Sequence, residues 1–154
     1  MKLRYELKRI NPGHNPSKEE LATVILGRIG LLPKKNDAKA GFNNLLLELY
    51  ERKKLSVKNN SPEIALFTIE EMALASGIKR QTFYDYLSRW TSLGVIKKAT
   101  YIKDKTRIRG YELSGNNIEG AFKKVQNAIN EHLEETKTLI STLQSEIRKE
   151  KLRK

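Results

Sequence analysis

From Ile118 onward, Ile118, Phe122, Val125, Ile129, Leu133, Thr136, Ile140, Leu143 and Ile147 recur in steps of three and four. The mean step is about 3.6 residues, the natural period of an α-helix, so the stripe stays on one face with little supercoil. Residues 116–154 are therefore predicted to form one long helix of roughly 35 residues, about 50 Å from end to end at 1.5 Å per residue. A small domain cannot cover an apolar face of that length. The surplus calls for another helix, and the same helix of a second copy, parallel or antiparallel about a two-fold axis, is the simplest supplier. The expectation is a homodimer held through Phe122, Val125, Ile129, Leu133, Ile140, Leu143 and Ile147. A break near Asn127 to Asn130, folding the second half back on its own domain, is the alternative. The basic tail from Arg148 to Lys154 suits the negative end of a helix dipole.

The rest of the chain must supply the core. With 154 residues and 38% hydrophobic side chains, one modest core is affordable and two are not. The absence of cysteine excludes disulfides, thiolate metal sites and cysteine nucleophiles, and fits a reducing compartment. No apolar run approaches the roughly 18 residues of a membrane span, and the N-terminus alternates charged with apolar residues instead of presenting a signal-type segment. The expectation is a cytoplasmic protein without a membrane partner. The formal net charge of +12 favours a polyanionic partner through release of condensed counterions. Basic residues outnumber acidic ones in 1–60, 61–115 and 116–154 alike, a spread that thermal adaptation or solubility also produces.

The stretch from Thr68 to Gly94 is the most informative about function. Thr68 and Glu71 have the spacing of a capping box, which starts a short helix with Ile69, Met72, Ala73 and Ala75 on its apolar stripe. Ser76-Gly77 supplies the positive φ that ends it. A second helix opens near Lys79 or Arg80, with Phe83, Leu87 and Trp90, joined by Leu93 or Tyr86, facing inward. Arg80, Gln81, Thr82, Tyr84, Asp85, Ser88 and Arg89 are left outward. Two arginines, a glutamine, a threonine and a tyrosine are donors suited to base edges and phosphate oxygens, whereas a merely solvated helix would carry lysine and glutamate. Val95 to Ile102 and Arg107 to Leu113 then read as two strands around the polar tip Lys103-Asp104-Lys105-Thr106.

Helix, Ser-Gly turn, helix, Leu-Gly-Val-Ile and basic hairpin together resemble the winged helix-turn-helix family of DNA-binding domains, over residues 61–115. The eleven-residue interval from Phe83 to Gly94 keeps that family's spacing. The resemblance implies a mainly α fold with a small β-hairpin wing, a recognition helix in the major groove and a wing on the backbone or minor groove. It makes Lys79, Arg80, Gln81, Thr82, Tyr84, Asp85, Ser88 and Arg89 candidates on the recognition helix, and Lys103, Lys105, Arg107 and Arg109 candidates on the wing. Asp85 departs from the pattern, because phosphate repels an acid. It must accept from a cytosine amino group, orient Arg89, or sit off the DNA. The layout, with a dimerising C-terminal helix, is similar to that of PadR-like regulators. A homodimer on double-stranded DNA would place two recognition helices in successive major grooves, roughly 34 Å apart.

Ahead of the motif, Leu3, Tyr5 and Leu7 alternate with Lys2, Arg4, Glu6 and Lys8, as in a half-buried strand or a basic arm spanning 1–16 and closed by the Asn11 to Pro16 turn cluster. The segment 17–60 reads as helices leading into the core. Ser17 with Glu20 caps the first, which ends near Gly30. Asp37 caps another that presents Phe42, Leu45, Leu46, Leu49 and Tyr50. Lys53 to Pro62 reads as a polar linker, Ile64 to Phe67 as a possible third strand, and Gly41 and Gly120 as marks of close packing or of a misplaced helix start.

Enzymatic chemistry has no support. His14 and His132 are far apart and lack metal-ligand spacing. Glu70-Glu71 and Glu134-Glu135 are helix neighbours that point about 100° apart and cannot converge. No glycine-rich phosphate loop is present. No metal, cofactor or catalytic residue is expected, and no residue specifies a small-molecule effector. The reading is a sequence-specific, homodimeric transcriptional regulator. A plasmid or virus replication or partition protein, and a winged helix used for protein contact in a larger complex, are the alternatives.

Overall fold

The computed structural model describes residues 3–34 and 36–153, with the side chains at 36, 37, 38 and 40 outside the description. Among the described residues there are α1 (Lys18–Arg28), α2 (Asn36–Lys58), a 3-10 turn (Pro62–Ala65), α3 (Ile69–Ser76), α4 (Arg80–Leu93), strands β1 (Ile96–Lys103) and β2 (Thr106–Leu113), and α5 (Ile118–Arg153). The fold is mainly helical, with a two-stranded antiparallel hairpin and a long C-terminal helix.

Local signals set most boundaries. Ser17 accepts from Glu20 N–H to start α1. Thr68 and Glu71 complete both halves of a capping box on α3, and Gly77 ends that helix at φ 74°. The cap proposed at Asp37 falls on a side chain outside the description, and α2 begins one residue earlier, at Asn36. Lys53 to Pro62 is not a linker: α2 continues through Lys58, because its polar end buries Lys53 and Ser56 against the hairpin. Ile64 to Phe67 adds no full strand. A 3-10 turn takes up its first half, and Phe67 alone bridges Tyr111 through two backbone hydrogen bonds of 2.8 Å.

One core gathers residues from α1, α2, α3, α4, the hairpin base and the start of α5. Phe42 lies at its centre, 4.8 Å from Tyr86 and about 6 Å from Phe83 and Trp90 between ring centroids. Trp90 Nε1 donates to the Leu31 carbonyl at 3.3 Å, which satisfies the one polar atom of that ring. Gly41 marks close packing, as a Cβ there would sit 1.9 Å from the Ser76 carbonyl oxygen. Gly120 lies instead in the first turn of α5, where its N–H donates to Asn117 Oδ1 at 2.7 Å.

Residues 3–13 form no strand. They run as an extended arm, tied by Glu6 N–H to the Ile29 carbonyl (3.2 Å) and Lys8 N–H to the Arg28 carbonyl (3.0 Å). Tyr5 packs on the core, while Leu7 is exposed. Alternation was present in the sequence, but the arm meets a helix end, which offers two carbonyls and no sheet edge. Lys2 lies outside the described residues.

The long helix is continuous for 36 residues with no break at 127–130. Its first third is consumed by the core: Ala121 and Val125 are buried, and Ile118, Phe122 and Ile129 pack partly against it. Leu133, Ile140, Leu143 and Ile147 are exposed.

Candidate functional site

The outer face of α4 is built by its inner one. Phe83, Leu87, Trp90 and Leu93 are buried at helical spacing, which fixes the rotation of the helix and leaves Arg80, Gln81, Thr82, Tyr84, Asp85 and Ser88 exposed. Lys79 is the N-cap residue, exposed, and makes no side-chain cap. The first turn of α4 therefore keeps free N–H groups and the positive end of its dipole, and it carries no acid to compensate.

The charges on this face are already engaged. Arg80 meets Glu70 of α3 at 2.6 Å, while its Nε donates to the Tyr84 hydroxyl at 3.2 Å. Asp85 sits between Arg89 (3.0 Å, one turn on) and Arg4 of the N-terminal arm (2.8 Å). Of the roles open to Asp85, orienting Arg89 is the one the geometry displays. Arg89 is less available than its position suggests: its guanidinium lies 5.4 Å from the Tyr86 ring, and its Nε is buried without a hydrogen-bond partner. The N-terminal arm touches the outward residues through Arg4 at Asp85 and leaves Gln81, Thr82, Tyr84 and Ser88 exposed.

The hairpin divides its four candidate cations. Asp104 (φ 52°) and Lys105 (φ 65°) form a two-residue turn of the kind whose backbone twist matches the strands it joins. Arg107 and Arg109 share a face with Thr100 and Ile102, their cross-strand partners, and are exposed. Lys103 lies on the opposite face and meets Glu63 at 3.0 Å. The hydrogen bond from Lys103 is the main cause that holds the Glu63 carboxyl below its usual value. Among the described residues no ion pair involves Lys105, Arg107 or Arg109.

A polar cluster at the hairpin base was not anticipated. Glu112 is buried on the face shared with Gly110 and Ile108. Its Oε1 accepts from the Tyr101 hydroxyl at 2.7 Å and lies 3.6 Å from Lys97 Nζ. Its Oε2 lies 3.1 Å from Lys53 Nζ, in a geometry that makes an ion pair without a proper hydrogen bond. Burial first, and then the Glu112 carboxylate, push the Tyr101 phenol up to about 12. The strand's period of two puts Glu112 beside Lys97, on the face opposite the core residue Leu113; what buries it is Lys53 of α2, distant in sequence.

Among the described residues no three His, Asp or Glu side chains converge as a metal site, and no helix is long and apolar enough to cross a membrane. No protein-family model matches the chain, and no match is found among curated proteins or solved structures.

Proposed function

We propose that the protein binds double-stranded DNA as a winged helix-turn-helix homodimer and acts as a transcriptional regulator. On this reading α4 is the recognition helix in the major groove, and the hairpin is a wing whose Lys105, Arg107 and Arg109 meet the phosphate backbone. The observation that carries the reading is the outer face of α4, where Arg80, Gln81, Thr82, Tyr84 and Ser88 stay exposed above a fully apolar inner face. The Arg80–Glu70 pair is itself exposed, and such pairs contribute little. Exchanging Glu70 for a guanine edge or a phosphate therefore costs little.

A second reading, a protein-contact module, draws on the same ion pairs: Glu70 and Asp85 offset positive charge that a duplex would use. Titration with a random-sequence duplex separates the two. Between about 50 mM and 200 mM salt, a protein neutralising several phosphates loses on the order of 10³-fold or more in affinity. Salt-independent or absent binding would overturn the DNA reading.

A further inference from the structure

An acid stands where a duplex would lie. At about 100° per residue, Asp85 falls with Gln81 and Ser88 within about 40° of the line opposite the buried Phe83, Leu87, Trp90 and Leu93. A lone carboxylate at that place would repel phosphate. This one is flanked: Oδ1 meets Arg4 of the N-terminal arm at 2.8 Å and Oδ2 meets Arg89 at 3.0 Å, so the three side chains together carry a net positive charge. Arg4 gives Asp85 one nitrogen. Its guanidinium has further N–H donors in a planar fork, so it can hold the carboxylate and a second acceptor at once.

The arm that delivers Arg4 is seated along the end of α1. Tyr5, the next residue, packs on the core, and Glu6 N–H donates to the Ile29 carbonyl at 3.2 Å. Gly30, at φ 77°, completes the seat, because a Cβ there would lie 2.7 Å from the Glu6 nitrogen. Farther on, Lys8 N–H donates to the Arg28 carbonyl and the Arg28 guanidinium donates to the Ile10 carbonyl at 2.6 Å. The backbone on the C-terminal side of Arg4 is thus fixed before its side chain reaches α4. As a fastening of the arm the Arg4–Asp85 pair is weak, since its side chains are 45% and 50% exposed and such pairs contribute little to stability. The same exposure leaves both groups open to a ligand.

We propose that the N-terminal arm belongs to the duplex-binding surface: Arg4, held on Asp85, contacts a backbone phosphate beside α4, and Asp85 is a positioning residue for Arg4 and Arg89. The proposal rests on the DNA reading and extends it to an element outside both the helix-turn-helix and the wing.

The full chain is titrated with random-sequence duplex from about 50 mM to 200 mM salt. Arg4→Ala should weaken binding by a similar factor on every duplex and lower the slope of log affinity against log salt by about 1, the share of one phosphate. Salt-independent or absent binding by the parent would reject the DNA reading itself. A salt-dependent parent whose slope Arg4→Ala leaves unchanged, or whose affinity it raises, would retain that reading and overturn the arm's part in it. An unchanged slope with a lowered urea midpoint would make Arg4 a structural tie between arm and helix. The role of Asp85 is tested by repeating Arg4→Ala in an Asp85→Asn background. If Asp85 positions Arg4, the loss there should be about 2- to 5-fold smaller than in the parent, the scale of an exposed ion pair. If Asp85 only offsets the charge of Arg4, the loss should be larger, because the freed guanidinium attracts phosphate more strongly. An equal or larger loss would overturn the positioning role.

Discussion

The base of the hairpin and the outer face of α4 contain the same chemistry in different surroundings. Lys53 and Glu112 pair with side chains 10% and 1% exposed, and Arg80 and Glu70 pair with side chains 54% and 59% exposed. The first pair sits under the wall made by α2 and β2, where each charge left its hydration shell on folding; Lys53 has Glu112 as its counter-charge, while Glu112 also meets Tyr101 and Lys97. The second pair kept most of its water. An ion pair is therefore structural at the hairpin base and contributes little on α4, and burial decides which.

The largest expected effect is at the base. Glu112→Leu leaves Lys53 buried without a counter-charge, and loss of one partner of a buried pair costs about 3–5 kcal/mol. The unfolding free energy should fall by that amount, seen as a lower urea midpoint with an unchanged slope. Lys53→Met/Glu112→Leu, which removes both charges at similar volume, should recover most of the loss. If the single change were as mild as a surface substitution, the distinction between the two regions would collapse.

On α4 the effect should appear in binding and be absent from stability. Arg80→Ala should leave the unfolding free energy within about 0.5 kcal/mol of the parent. Under the DNA reading it should cost about 1–3 kcal/mol of affinity and relax preference at one base pair. A selection of bound sequences with parent and variant provides both readouts. Destabilisation without loss of affinity would make Arg80–Glu70 a structural pair like the buried one.

This contrast also explains what could be read in advance. The capping box at Thr68, the turn at Gly77 and the inward set Phe83, Leu87 and Trp90 are decided within a few residues, so spacing alone revealed them. The length and continuity of α5 were legible for the same reason. The end of α2 was not: Lys53, Lys54, Ser56, Lys58 and Asn59 look like a solvated linker, and only Glu112, distant in sequence, makes Lys53 a buried residue. Partners of the α4 face were hidden similarly. Nothing local to Asp85 names Arg4, which reaches it from the far end of the chain, or tells that Arg80 would meet Glu70 across the turn. Period identifies a face, and tertiary contact then assigns its occupants. Val125 and Ile140 share a stripe, yet the core takes the first at 3% exposed and leaves the second at 60%.

Arg52–Glu71 stands between the two extremes, with side chains 35% and 42% exposed at 2.7 Å. Arg52 also donates to the Leu66 carbonyl at 2.9 Å and lies 3.8 Å above the Phe67 ring. Partial burial pushes the Glu71 carboxyl up, but hydrogen bonds from Arg52 and from Thr68 N–H outweigh it and hold the group below its usual 4.5. Glu71→Gln keeps an acceptor for the Thr68 amide and removes the charge, so the loss should be no more than about 1 kcal/mol after solvent screening. The sign of its pH dependence follows from the depressed value. The contribution is complete above pH 4.5 and disappears as pH falls through the folded-state value, where the protonated carboxyl no longer attracts Arg52. Parent and variant should therefore differ at neutral pH and converge in acid. A gap that persists in acid would assign the loss to the fit of the amide in the capping box, and Glu71 would then rank with the caps instead of between the two ion pairs.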